Sequence, residues 1–335
     1  MIASATNPIY SVYAVVGGTK YNLTSALVGI DASEQKRQIS QNVRIELMNC
    51  KIGGSWLADV ITDQSRVFLY ANDGSRSGEV FRGYAWTGGD GHSLTENTFS
   101  IKCYDHLIFM QESDESIYFA PGKTTKDVFT YLCDKWGVKL EYTYGSITHQ
   151  KLALRGNLTD IFTTDLLEPA KDRIGKDYVI LSAEDVMKVR GIGENDTVYS
   201  IVGGSNAVKT RMEWTKDGMI TQVIITGKKD DDDREPVEAT VSGDTAKYGT
   251  LQKIIDRDEN TSLEDAKTEA QNIIDTDGKP KVEYEIQCTD IPWIRKGDKV
   301  YVNAGGIKEK YLYVTGVDRS ITNKSKQLIL TCIAA

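Results

Sequence analysis

The chain has 335 residues, 40% of them apolar and 26% charged, and its net charge at pH 7 is -8. This composition excludes a largely disordered chain and leaves room for two or three cores. The acidic balance argues against a nucleic-acid-binding surface, which needs clustered Lys and Arg. No apolar run reaches the length of a membrane span, and no signal-peptide pattern opens the sequence. We therefore expect a protein that folds in a cytoplasm.

Five cysteines are an odd number, and no two of them form a Cys-x-x-Cys pair. Four of them lie in strand-like runs, where a free thiol behaves as a small hydrophobic side chain. The sequence therefore predicts buried, reduced cysteines rather than a disulfide or metal framework. They are Cys50, Cys103, Cys133, Cys288 and Cys332.

Residues 1–114 carry strand patterns separated by turns. Apolar and polar residues alternate at period two, and Gly17-Gly18 and Asn72-Asp-Gly74 mark tight turns. Residues 31–37 form a polar segment, and residues 55–61 suit one short helix. Six or seven strands of this kind predict a small closed or nearly closed β-barrel. The main predicted strands span residues 9–16, 20–23, 42–47, 67–70, 79–86 and 98–103.

Residues 115–204 change to a helical period and predict a small α/β module. Thr124 and Asp127 form a capping-box pattern before a helix that Gly137 ends. Asn157 and Asp160 cap a second helix, which Pro169 must kink or end. A strand over 138–142 and a hairpin of 178–182 with 186–190 complete the module. Its predicted core is Val128, Leu132, Trp136, Ile161 and Phe162.

Residues 205–335 predict a second barrel with one helix. Strands 210–215 and 220–226 are expected to pair across a Lys216-Asp-Gly218 turn. The charged run 228–235 lacks the glycine and glutamate spacing of an EF-hand, so it is interpreted as a solvated loop. Thr261 and Glu264 form the capping box of a helix that ends at Gly278 and Pro280. A meander of strands over 282–335 follows.

The two predicted barrels repeat one plan. The spacing from Val67 to Gly83 equals that from Val300 to Gly316, and Cys103 and Cys332 each end the last strand. These matches predict a duplicated β-domain in which the three pairs of residues superpose.

No arrangement of residues indicates catalysis. His92, His106 and His149 are scattered, without the spacing of a metal site or a nucleophile with its base. The glycines of Gly191-Ile-Gly193 and Gly203-Gly204 lack the remainder of a phosphate loop and are interpreted as turns. Glu283 and Glu285 share one strand face, which is interpreted as solvated. We therefore predict no catalytic, cofactor-binding or metal-binding residues and no enzyme activity.

The order of these parts resembles a known family. A barrel is followed by a module that opens with Thr124-Thr-Lys-Asp-Val128, and then by a second barrel. That barrel contains Ile294-Arg-Lys-Gly-Asp-Lys-Val300, Tyr311-Leu-Tyr-Val-Thr-Gly-Val317 and Gln327-Leu-Ile-Leu-Thr331. In this order the chain is similar to baseplate hub proteins of contractile phage tails, in particular the XkdQ/YqbQ group of prophages and tail-like bacteriocins, related to the late control D hubs.

The resemblance implies a mainly β (α+β) fold with two tail-tube-like antiparallel barrels around an α/β module. It implies a structural hub that trimerises into a pseudo-sixfold ring between the tail tube and the central spike. The expected partners are therefore two further copies of the chain, the tube protein, the spike protein and other baseplate proteins. Assembly would occur in the host bacterial cytoplasm, and the product would sit in the virion tail. The chain departs from some relatives in ending at Ala335, without an appended lysozyme or peptidase domain.

Two other functions remain open from the sequence. A carbohydrate- or receptor-binding module is favoured if Trp56, Trp86 and Trp293 form one exposed plane. A cell-wall-acting enzyme would have its site in the middle module.

Overall fold

The computed structural model describes residues 7–92, 97–227, 235–257 and 261–335. Strands dominate the first part because apolar residues alternate there with polar ones. A 3-10 turn at Thr24–Ala26 precedes the third strand. The elements are β1 (Ile9–Val16), β2 (Thr19–Asn22), β3 (Leu27–Gln35), β4 (Asn42–Met48), β5 (Lys51–Ile52), β6 (Ser55–Trp56), α1 (Leu57–Val60), β7 (Arg66–Asn72), β8 (Ser77–His92) and β9 (Asn97–Tyr104).

The middle part mixes helices and strands. Its capping box is present as predicted, since Thr124 Oγ1 accepts from the Asp127 amide at 3.1 Å and Asp127 accepts in return at 2.9 Å. The elements are α2 (Ile108–Gln111), β10 (Asp114–Phe119), α3 (Thr125–Lys135), β11 (Lys139–Tyr142), β12 (Leu152–Asn157), α4 (Leu158–Asp160), a π-helix (Ile161–Leu167), α5 (Glu168–Ile174), β13 (Tyr178–Ala183) and β14 (Val186–Gly191).

The last part returns to strands, with one long helix. Its elements are β15 (Tyr199–Val202), β16 (Ala207–Thr215), β17 (Gln222–Thr226), β18 (Val237–Ser242), α6 (Thr245–Tyr248), β19 (Gln252–Asp256), α7 (Leu263–Asp277), β20 (Lys281–Thr289), β21 (Lys299–Ala304), β22 (Ile307–Thr322) and β23 (Lys326–Ala334). The fold is mainly β with an α/β module between two strand-rich halves, which is the predicted fold class.

The two halves have the same strand order. In the first half the order is β1-β7-β8-β9-β4-β3, and in the second it is β15-β21-β22-β23-β20-β16. The one difference in direction is that β15 runs parallel to β21, whereas β1 runs antiparallel to β7. β3 pairs with β22, so the described strands of both halves form one continuous sheet. β15 belongs to this sheet although it lies within the predicted 115–204 module.

The register of the sheet confirms two of the predicted equivalences and corrects the third. Cys103 lies opposite Ala85 and Cys332 opposite Val314, and a bulge follows each partner. Val67 lies opposite Gly83, whereas Val300 lies opposite Leu312. The equivalent of Gly83 is therefore Leu312, four residues before Gly316, and the prediction that the two glycines superpose is wrong.

Gly83 and Gly316 each lie against a different neighbouring group. A Cβ on Gly83 would lie 2.1 Å from the carbonyl oxygen of Tyr104, and one on Gly316 would lie 2.5 Å from Oε1 of Gln35. The backbone carbonyl excludes any side chain at Gly83, whereas at Gly316 the obstacle is the end of the Gln35 side chain, which would have to move. The equal spacing that suggested superposition is thus a coincidence of two separate contacts.

The strand β3 was missed from the sequence. Residues 31–37 look polar because Asp31, Ser33 and Gln35 face outward, while the inward positions include the small Ala32 and the charged Glu34. The alternation is real, but its inward set is not apolar throughout. Burial of Glu34 depends on an ion pair that only the folded chain supplies.

The predicted hairpin of residues 210–215 with 220–226 is also wrong. β16 pairs with β20, and β17 pairs with β18 and β19 in a separate three-stranded sheet. α7 covers this sheet, because Ala270 and Ile273 pack against Val223 and Ile225. The turn forms, but the apolar face of α7 draws β17 away from β16. These elements make an insertion between β16 and β20, whereas the first half joins β3 to β4 by the short segment 36–41.

Three helix details differ from the prediction. The N-cap of α7 is Ser262, whose Oγ accepts from the Asp265 amide at 3.1 Å, so the predicted box at Thr261 and Glu264 is one residue early. Asn157 caps its helix through the Thr159 amide rather than with Asp160. Of the two effects predicted for Pro169, a kink or an end, the end does not occur, because α5 follows the π-helix directly and continues to Ile174.

The middle module has its own core. Phe129 and Phe162 are fully buried and stack at 4.6 Å, and Val128, Leu132 and Ile161 surround them. Trp136 lies at the margin of this core and is partly exposed, so it is not a central residue as predicted. By contrast, apolar residues of both strand-rich halves form one core cluster.

We expect Phe162→Ala to destabilise the middle module by ~3–5 kcal/mol, because it opens a cavity in a fully buried cluster. Hydrogen exchange should show that β13, β14 and α3 lose protection before the large sheet does. Tyr131→Ala, at a half-exposed position of α3, is the matched control and should have little effect. Equal loss of protection across the large sheet would contradict a separately stabilised module.

Candidate assembly interface

The loop between β20 and β21, residues 290–298, is here called the clasp loop. Asp290 and Arg319 form a buried ion pair at 2.6 Å, and Tyr10 donates a hydrogen bond to the same carboxylate. The Arg319 guanidinium also donates to the Ile291 carbonyl at 3.0 Å. Buried charges need such complete pairing, because the loss of hydration is otherwise uncompensated. The cluster fixes the loop against β1 and β22.

The same loop contacts the first half through two more side chains. Arg295 pairs with Glu34 of β3 at 2.5 Å, and Lys296 donates to the carbonyls of Gln35 and Gln38. Burial lowers the pKa of Lys296 to about 8, although the nearby carboxylate of Glu34 opposes the shift. The clasp loop therefore binds the end of β3 to the second half.

The middle module is held by the far end of the clasp loop. Asp298 accepts from Arg190 of β14 at 2.7 Å, and Arg295 donates to the Ser182 carbonyl at 3.1 Å. Gly297 has φ +80, and a Cβ there would lie 2.5 Å from Val179, so only glycine fits between the turn and β13. The loop thus contacts all three parts of the chain.

A second polar junction joins the module to the first half. Asp185, in the β13–β14 turn, accepts from Arg66 at 2.8 Å and from Arg82 at 3.3 Å. Nδ1 of His106 lies 3.0 Å from the hydroxyl of Ser182. Burial lowers the pKa of His106 to about 4, against a weaker opposing effect of Asp185. The ring is therefore neutral at neutral pH.

The internal seam between the halves is the antiparallel pairing of β3 with β22. Ala32 lies opposite Arg319, Ser33 opposite Asp318, and Asp31 opposite Ser320. On the outer face, Ser33 donates to Asp318 at 2.7 Å and Ser320 donates to Asp31 at 2.8 Å. On the inner face Ile30, Ala32 and Glu34 are buried. The seam is therefore buried on its inner face and open to solvent on its outer face.

Each strand of this seam has an equivalent strand in the other half, and that strand has an edge that is unpaired among the described strands. β16 is equivalent to β3, and β8 is equivalent to β22. From Lys209 onward, no described strand pairs with the side of β16 that faces away from β20. Residues 87–91 of β8 pair with β9 on one side, and no described strand lies on the other. We call residues 87–91 the free edge. Open edges of this kind are pairing sites for another chain.

Large apolar side chains lie on β16. Val208, Met212 and Trp214 are exposed by 63%, 61% and 72%. Met212 lies opposite the buried Tyr284 and Trp214 opposite Val282, so both point to the core side of the sheet. Beside the free edge there is a groove of about 360 Å³. Its apolar lining includes Ala58, Ile61, Ala85, Phe99 and Ile101.

Residues considered for chemistry are dispersed. His106 and His149 are buried and contact hydroxyl groups of Ser182 and Thr125, and the side chain of His92 lies outside the described residues. Glu283 and Glu285 are exposed on β20. Over the described ranges there is no group of three or more potential metal ligands.

The remaining sequence interpretations concern loops and cysteines. Gly193 and Gly204 have φ values of +79 and +77 and lie in turns. The acidic run lies outside the described residues except for Glu235. All five cysteines are unpaired, and all but Cys50 are buried. Among the helices described, none is long and apolar enough to cross a membrane.

The three tryptophans do not form one exposed plane. Trp56 and Trp86 are exposed by 45% and 43%, but Trp293 is buried in the clasp loop and donates from Nε1 to Asp73 at 2.6 Å. Because Trp293 is buried, the three tryptophans do not form the exposed surface that would favour a carbohydrate- or receptor-binding module.

We expect Arg319→Met to lower the free energy of unfolding by ~3–5 kcal/mol, because it leaves Asp290 buried without its cation. Lys267→Met is the control, since Lys267 and Glu264 form an exposed pair worth at most ~1 kcal/mol. Denaturant unfolding measures both. A similar small loss in the two variants would show that the buried pair does not hold the clasp loop.

We expect acid to weaken the His106 junction. Because the folded-state pKa of His106 is depressed, the unfolded chain binds the proton first, and stability falls as the pH drops from 6.5 through about 4. The loss is at most about 3 kcal/mol. His106→Asn should remove this part of the pH dependence. The other titrating groups contribute equally to both proteins, so their effects cancel when the two stability curves are compared. Parallel stability curves for the two proteins between these pH values would contradict the assignment.

Solved phage tail proteins share this fold. A 43 kDa tail protein of prophage MuSo2 from Shewanella oneidensis aligns with a TM-score of 0.68 and 15% identity, over 97% of this chain and 98% of that one. A tail protein from Neisseria meningitidis MC58 aligns with a TM-score of 0.68 and 13% identity, over 97% and 96%. Prophage tail protein gp18 from Listeria monocytogenes EGD-e gives 0.62 and 12%, over 96% and 94%.

No curated protein shows significant sequence similarity to this chain. One family model does match, and it spans residues 35–332, from the end of β3 to the last strand. That range includes the clasp loop, the free edge and all of β16. The chain belongs to the YQBQ-like family.

Proposed function

We propose that this chain is a structural baseplate hub of a contractile phage tail or tail-like particle. Three copies would form a ring of six similar sheet units, which joins the tail tube to a central spike. Three solved proteins that share its fold are phage tail proteins, which supports a structural role in a tail. A structural role gives the chain no need of a catalytic centre.

The observation that carries this proposal is the pair of open edges. Each half has the same strand order, and the internal seam already joins one half to the other edge to edge. β16, at one end of the sheet, and the free edge of β8 offer the same two kinds of strand to a neighbour. A heterologous contact of this type closes into a ring when its rotation permits. Two units in each chain let a threefold assembly face a sixfold tube.

The proposed partners are those that the resemblance to baseplate hub proteins implies. The ring would contact the tube protein on one side and the spike protein on the other, with other baseplate proteins around it. Assembly would take place in the host bacterial cytoplasm, and the finished ring would lie in the virion tail. Permanent contacts between copies should bury well over ~1,000 Å². The net charge of -8 keeps the free chain soluble, so the isolated chain should be monomeric or weakly trimeric.

We expect the complex of this chain with its spike protein to contain three copies of the chain. Native mass measurement should give that stoichiometry, and electron-microscopy class averages should show six sheet units around an open channel. The spike should raise the trimeric fraction relative to the chain alone. A complex with one copy of each protein, or a ring without a channel, would refute the hub function.

A further inference from the structure

We propose that β16 of one copy pairs antiparallel with the free edge of a second copy, and that Trp214 enters the groove beside Gly88. This inference rests on the proposed function and specifies the contact between copies. The occupant of the groove is a second copy of this chain because the molecule contains an internal version of the same contact. That version, the β3–β22 seam, fixes the register.

The equivalence of β16 with β3 follows from the pairing ladder. Ala32 lies opposite Val43, which lies opposite Cys103. Met212 lies opposite Tyr284, which lies opposite Cys332. Since Cys103 and Cys332 are equivalent, Met212 occupies the position of Ala32. Two residues on, Trp214 occupies the position of Glu34.

The equivalence of the free edge with β22 follows from the bulges. Ala85 and Val314 precede a bulge at the same place in each half, so Thr87 corresponds to Gly316 and Gly88 to Val317. Further along, Gly89 corresponds to Asp318. The internal seam places Glu34 opposite Val317 and Ser33 opposite Asp318. The proposed contact therefore places Trp214 opposite Gly88 and Glu213 opposite Gly89.

Solvent exposure differs between the two pairs of strands: β3 and β22 pair with each other and are buried on their inner face, whereas β16 and the free edge are exposed. Ala32 and Glu34 are exposed by 7% and 1%, whereas Met212 and Trp214 are exposed by 61% and 72%. Val317 is buried, while its counterpart Gly88 and the whole free edge are exposed. Apolar side chains at the same positions of equivalent strands thus lack only the neighbouring strand. A second copy would supply it.

The sizes of the paired side chains are complementary. A Cβ on Gly88 would lie 3.6 Å from Ile101 and Phe99, so this position faces the apolar lining of the groove. Glycine in place of Val317 leaves space on the inner face, and tryptophan in place of Glu34 fills it. A buried indole removes a large apolar area from water. Central aromatic residues of this kind dominate the affinity of many interfaces.

Disulfide trapping tests the register in the full chain. Glu213→Cys with Gly89→Cys places two thiols on directly opposed residues of different copies, within the Cα separation that a disulfide needs. Arg211→Cys with Thr87→Cys is the matched control, since these positions are displaced by four residues, about 13 Å along the strand. We expect the first variant to yield covalent species up to three copies on non-reducing gels, and the control to yield none.

Trp214→Ser tests the anchor. It should weaken association of the chain, measured by sedimentation over a concentration series, by about tenfold or more. Trp56→Ser, at another exposed tryptophan, should leave association unchanged. Circular dichroism of each variant confirms the fold, which is not expected to depend on either exposed side chain.

The outcomes separate this inference from the hub function. A three-copy ring that forms without the expected cross-link, or that tolerates Trp214→Ser, overturns the proposed contact and leaves the hub intact. Cross-linked chains that stop at two copies, or grow without limit, support the contact and refute the ring. A chain that yields no cross-link at any concentration, either alone or with its spike protein, overturns the contact.

Discussion

The ion pair between Asp290 and Arg319 is the constraint on which the rest of the structure depends. Both groups are buried, so the loop that carries Asp290 is fixed wherever Arg319 and Tyr10 are fixed. The rest of the clasp loop then follows, with Arg295 and Lys296 bound to the end of β3 and Asp298 to Arg190. A buried charge cluster tolerates few alternative arrangements, because each would leave a charge without its partner.

The seam between β3 and β22 converts two similar halves into one sheet. Its inner face is buried, and its outer face is crossed by hydroxyl–carboxylate hydrogen bonds. A free-standing half would leave β3 open, as β16 is open now. The large sheet thus contains one contact of this type, between β3 and β22. It also contains the two equivalent strands, β16 and the free edge of β8, without a described partner strand.

Sequence patterns predicted the elements whose side chains follow simple rules. The box of Thr124 and Asp127 and the hairpin of β13 with β14 depend on neighbours in the sequence, and both are present. Pairing between distant strands was less accessible. β3 was missed because Glu34 lies on its inner face, and β16 was given the wrong partner because alternation does not identify which strand lies alongside.

The interface was harder to predict than the fold. Arg295, Lys296 and Asp298 lie in one charged segment before a predicted strand, and nothing in that segment shows that Lys296 and Asp298 are buried beside β3 and β14. Trp214 looks like an ordinary strand residue until its exposure and its equivalence with Glu34 are known. The glycines of the free edge have no distinctive spacing. The role proposed for Trp214 and these glycines emerges only when the exposure of equivalent positions in the two halves is compared.

The insertion between β16 and β20 makes the two halves distinguishable. It places a helix-covered sheet of β17, β18 and β19 on the second half, where the first half has only the segment 36–41. In a ring of alternating halves, this unit would mark every second position around the circumference. A partner that recognises the common sheet would then encounter six sites, and one that recognises the insertion would encounter three. A ring of one kind of chain would in this way bind one partner in six copies and another in three.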